Sequence, residues 1–311
     1  MCVMLGALWL LKWRAYREFI LPTVLDGVRY EFFEVLGGFD FNELFRFEKP
    51  PFLRLLAALE LPAQLEISTV SSHPSEIGRS HNVLRDRLFW GMGGTLLCEV
   101  FNATIEAIHE RWGHLVDELQ IDAILPKVDS FCEPRRWQRL HYNRWKRLHA
   151  LKYQSVDSPD GIIRQLWGPL LGRRHDVTLL GQSGLLAVTM IHSNDAAGEP
   201  YYVYGVPAYQ ISPWLQAPFR GILTAGQQAF NTAMSGVRGI VEWGFGRIVA
   251  QWPYVDYHKK QQVALSACGL GKQYAVAGML TNCHNCFYPN STAQYFDVQP
   301  PSLEEYLLGE G

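Results

Sequence analysis

The stretch that most restricts what this chain can fold into is Ser158-Pro159-Asp160-Gly161, a strong turn sequence set between two runs with strand character. Residues 150–156 (ALKYQSV) alternate in the way a strand does, and residues 162–166 restart an apolar strand. The pattern predicts an antiparallel hairpin over residues 150–166, with Leu151, Tyr153 and Ser155 on one face and Lys152 and Gln154 on the other. Residues 201–204 (YYVY) form a third short run of β-formers, which Gly205 and Pro207 stop. Loops at such strand ends often carry chemistry.

Elsewhere the pattern is helical. Residues 8–21 are expected to form a helix stopped by Pro22, and the Pro50-Pro51 pair starts a helix over residues 52–59. Residues 71–82 turn to Ser, His, Pro, Gly and Asn, as in a linker or surface loop. Residues 96–119 then place Leu97, Val100, Phe101, Ile105, Ile108, Trp112 and Leu115 at helical spacing, which predicts a long helix. Phe230, Met234, Val237, Val241, Phe245 and Ile248 recur at three and four residues, which puts Glu242 on a helix as well.

A chain of 311 residues that is 48% hydrophobic and 19% charged can bury a sizeable core. Six cysteines are too few for a disulfide scaffold at this length, so a reducing, intracellular compartment is expected. The apolar run at residues 3–11 is too short to span a bilayer and is expected to be a core helix. Net charge is −2, so any contact with nucleic acid must come from a local patch. One exists: Arg135, Arg136, Arg139, Arg144, Lys146, Arg147 and Lys152 stand without an intervening acid and are interleaved with Trp137, Tyr142 and Trp145. Cys283-x-x-Cys286 with His284 lacks a second pair at a suitable distance for zinc, and the Asn290-Ser291-Thr292 sequon carries no meaning in an intracellular protein.

Taken together, the strings HALKYQSVDSPDG, GRRHD, GVPAY and RGIVEWGFG resemble the DDE superfamily endonucleases of PIF/Harbinger transposons. His149, Lys152, Gln154, Pro159, Asp160, Gly161, Gly172, His175, Asp176, Gly205, Ala208, Tyr209, Arg238, Val241, Glu242, Phe245 and Gly246 fall in place in order. The resemblance implies an α/β, RNase H-like mixed sheet flanked by helices over residues 120–300. A mainly helical region over residues 1–119 would precede it, with a degenerate helix-turn-helix or a helical packing layer, and a tail over residues 301–311 would follow.

The resemblance further implies three carboxylates that hold two Mg²⁺ or Mn²⁺ ions for DNA strand cleavage, since such chemistry needs hard cations held close together by acidic side chains. The first acid is expected at Asp129, with Asp122 as the alternative, and the third at Glu242. At the second position stands Val206, which has no oxygen to offer a metal and would repel a hydrated cation. Asp176 is a further candidate metal ligand or, alternatively, a helix cap. The expected function is that of a transposase-derived endonuclease with an impaired site, acting on DNA in the nucleus or cytoplasm and away from membranes. The alternative is a non-catalytic DNA-binding or protein-interaction protein that keeps the fold. A separate partner that brings a DNA-binding module, and oligomeric assembly, are both open to it.

Overall fold

The computed structural model of the chain describes residues 42, 46–61, 94–116, 142–143, 148–149, 151–192, 202–256 and 269–308. These make a mainly helical α/β arrangement with small two-stranded sheets. They fall into two units, one within Met1–Gly113, Val249–Tyr288 and Pro301–Gly311, the other within His114–Ile248 and Pro289–Pro300.

The second unit is built on the hairpin. Strands β1 (Tyr142–Asn143) and β2 (Leu148–His149) pair with each other, and β3 (Leu151–Asp157) pairs antiparallel with β4 (Ile163–Leu171). The expected turn closes between them: Gly161 N donates to Ser158 O at 2.9 Å, and Ser158 N to Ile162 O at 3.0 Å. Gly161 sits at φ +83°, a left-handed conformation that the sequence meets with the one residue free of a Cβ. Asp160 is buried, but its Oδ1 accepts from Ile162 N at 3.0 Å and its Oδ2 from Arg164 at 2.6 Å. Burial of this carboxylate is therefore matched by donors rather than left as a penalty.

The ladder breaks register twice, between Lys152 and Gln154 and between Val156 and Asp157. In the second break Val156 faces Gln165 and Asp157 faces Ile163, which leaves Arg164 without a cross-strand partner. Such a bulge bends the strand and re-aims a side chain, and here Arg164 turns back onto Asp160. Trp167 and Leu170 of β4 bury against Leu179 of α3 (Asp176–Gln182), where each such side chain contributes roughly 1.5–3 kcal/mol. Helix α4 (Leu185–His192) follows, then β5 (Val203–Tyr204) and β6 (Leu215–Gln216), which pair in parallel.

The long helix α5 (Ala225–Gln251) carries Glu242 as expected. Its deepest line is Ile240, Gly244 and Ile248, four residues apart, while Phe230, Met234, Val237, Val241 and Phe245 are half-buried. Asn290 caps the short helix α7 (Ser291–Phe296), its side chain accepting from Ala293 N at 2.9 Å.

The first unit is helical. Helix α1 (Lys49–Ala58) begins on the proline pair, and α2 (Gly94–Trp112) turns Ile105, Ile108 and Trp112 inward. Helix α2 packs with α6 (Leu270–Phe287), which is buried through most of its length, α1 packs with α8 (Leu303–Leu308), and α8 folds onto α6 through Asn282 and Tyr306 at 2.9 Å. The predicted helix over residues 96–119 stops at Trp112, and a 3₁₀ turn at Gly113–Leu115 follows. Residues 8–21 and 71–82 lie outside the described residues. No helix of the described residues is long and apolar enough to cross a membrane.

Candidate functional site

Val206 lies just beyond β5 in a turn closed by Tyr209 N donating to Val206 O at 3.0 Å. Tyr209 packs on Leu180, Leu185 and Leu215, so the turn is pinned to the core rather than hanging from it. Burial, and then the nearby Asp176 carboxylate, push the Tyr209 phenol up to about 12. The same tyrosine therefore reaches from the Val206 turn toward the start of α3.

Asp176 stands in the first turn of α3, where a carboxylate suits the helix dipole. Its Oδ1 accepts from Lys152 Nζ at 2.8 Å, and that ammonium also donates to Arg174 O at 2.8 Å. The Lys152 side chain is only 21% exposed, so its charge serves this junction more than the surface. One oxygen of the Asp176 carboxylate is thus spent on a lysine.

Glu242 sits on the exposed side of α5 and pairs with Arg238, one turn earlier, at 3.7 Å. Strand β5 is tied to the same helix: the Tyr204 ring meets Phe230 edge-on at 6.0 Å between centroids. The Tyr204 phenol is raised by burial and partly drawn back by Arg238. Tyr204, two residues before Val206, thus meets the helix that also bears Glu242.

Asp129, Asp122, Arg135, Arg136, Arg139, Arg144, Lys146 and Arg147 fall outside the residues whose side chains are described. The donor set that is described does not fit a pair of divalent ions. Val206 offers no oxygen, Asp176 is held by Lys152, and Glu242 leans on Arg238 in solvent. Among the described residues no group of three or more His, Cys, Asp and Glu side chains is placed to hold a metal. Cys283 and Cys286 lie on α6, and burial pushes the Cys283 thiol well up.

The fold also gathers Asp157, Arg247 and Asn290, of which the sequence reading left out Asp157 altogether and took Asn290 only as part of a sequon. Asp157, at the end of β3, is raised to about 6, first by burial and against the opposing pull of a Ser155 hydrogen bond and of Arg247. Arg247 donates to Asn290 Oδ1 at 3.2 Å and to Gly161 O at 3.4 Å. The signal that was there to use is the Asn-Ser-Thr run ahead of a short amphipathic stretch, since Asn is among the best helix caps.

A family model described as DDE superfamily endonuclease matches residues 103–282, more than half of the chain. No curated protein and no solved structure matches.

Proposed function

The chain belongs to the DDE superfamily endonucleases, and from that membership we propose that it is a transposase-derived protein of the PIF/Harbinger type that holds DNA but cuts it poorly. The observation that carries the reading is Val206 in the turn after β5, where the family's second acid would stand. Removal of one ligand from a two-metal site takes most of the rate with it, because the acids act as a unit. On this reading residues 120–300 take an RNase H-like arrangement, Asp129 and Glu242 are what is left of the acidic set, and the basic run from Arg135 to Arg147 faces phosphate, while Lys152, expected to join it, is engaged by Asp176 and Arg174 O instead. The divalent metal would supply activation of the attacking oxygen, but the described donors do not fit it.

The alternative, a protein that keeps the fold and only binds DNA or another protein, is supported by the same valine and by the engagement of Asp176 and Glu242 in ion pairs. On the transposase reading the protein acts in the nucleus or cytoplasm, with oligomeric assembly and a separate DNA-binding partner both open to it. The test is a plasmid-nicking assay with Mg²⁺ or Mn²⁺. Nicking near background is expected of the unmodified protein; robust cutting abolished by Glu242→Ala would show a working site and overturn the reading.

A further inference from the structure

The turn that joins β4 to α3 carries a charge pattern that the acidic site does not use. Leu171, Arg173, Arg174, His175 and Thr178 line an open cleft of about 390 Å³. Arg173, Arg174 and His175 are exposed. Among the described residues neither arginine forms an ion pair. The nearest acid in sequence, Asp176, is already paired with Lys152, so it does not cancel them. His175 occupies the cap position of α3 without using its side chain as the cap, which leaves the imidazole to the cleft.

The turn is also stiff where the charges stand. Arg174 N donates to Leu171 O at 2.9 Å, and Lys152 Nζ holds Arg174 O at 2.8 Å. These two bonds fix the backbone of Arg174, next to Arg173, and a planar fork so placed suits the oxygens of a phosphodiester better than a mobile lysine would. A surface lined by cations whose counter-charge is engaged elsewhere gains by releasing the ions condensed on a nucleic acid.

We propose that this cleft is a DNA-backbone site in which Arg173 and Arg174 each take a phosphate while His175 and Thr178 supply hydrogen bonds. The proposal rests on the reading that the protein holds DNA, and it places a phosphate contact outside the basic run from Arg135 to Lys152.

The test measures binding of the full chain to a fluorescent DNA duplex of arbitrary sequence across a potassium chloride series. Arg173→Glu/Arg174→Glu is expected to weaken binding at least about tenfold at low salt and to lower the salt slope by about 2, one for each lost phosphate contact. Should charge reversal unfold the turn, Arg173→Gln/Arg174→Gln removes the charges without repulsion, and the same drop in slope is expected. Unchanged affinity and slope in a folded double variant would overturn the cleft alone. No DNA binding by the unmodified chain would overturn both the cleft and the reading beneath it, and loss confined to an RNA duplex would overturn the assignment to DNA.

Discussion

Gly244 of α5 lies so close to Asp157 of β3 that a Cβ added to the glycine would stand 2.6 Å from Oδ1 of the carboxylate. The long helix and the hairpin thus meet backbone to side chain on the buried line of the helix. Alanine is ordinarily the better helix former by about 1 kcal/mol. At this position that preference is outweighed, because the Asp157 carboxylate is held by Ser155, whose Oγ donates to its Oδ2 at 2.7 Å. Gly244→Ala is expected to destabilise the fold by about 1–3 kcal/mol, read as a lower urea midpoint. A raised midpoint would show that helix and hairpin part easily.

Asp157 sets a pH dependence whose sign follows from its direction of shift. Its folded value of about 6 lies above the ordinary 3.8, so the folded state favours the protonated form. Stability from this group is therefore fully present below about pH 4, falls as pH rises toward 6, and stays lower above it, by about 3 kcal/mol over the window. In Asp157→Asn that part of the pH profile is expected to flatten, with unfolding followed between pH 4 and 7. An unaltered profile would assign the dependence to other groups.

The left-handed Gly161 makes a separate prediction. Besides the strain of φ +83°, an added Cβ would collide with the Asn290 side chain. Gly161→Ala should cost about 1–3 kcal/mol, and should do so without weakening the isolated contact between Lys152 and Asp176, which a double-mutant cycle would place at about 1 kcal/mol or less.

Val206→Asp tests the acidic site from the side of gain rather than loss. In calorimetric titration with Mn²⁺ the unmodified protein is expected to show no specific uptake at this site, while the aspartate variant is expected to take up metal. Adding Glu242→Ala to that variant should remove the uptake again. Uptake indifferent to both substitutions would mean that the ligands are elsewhere.

The hairpin was legible because its signal is local: Ser158, Pro159, Asp160 and Gly161 each favour the turn that forms, and the runs on either side have strand character and pair across it. The two breaks in register were not legible, since a bulge at Arg164 depends on where that side chain finds Asp160. On α5 the apolar period correctly gave the helix and the buried Ile248, but Phe230 and Phe245 are only half-buried, whereas the deepest line also runs through Gly244. Hydrophobic periodicity cannot register a residue whose value is the side chain it lacks. The same limit applies to the site: a missing acid at Val206 can be read from spacing, but the engagement of Asp176 by Lys152 needs the fold that brings β3 and α3 together.

Asn290 carries one more consequence. Its amide nitrogen donates to Asp160 O at 3.0 Å from a buried side chain, and it heads an Asn-Ser-Thr acceptor sequence. A sugar chain could reach that nitrogen only before the turn has closed over it, and once attached would hold the turn open. If the protein were routed through a secretory compartment, glycosylated and folded molecules would be mutually exclusive populations, so a shift in electrophoretic mobility would record which of the two events came first.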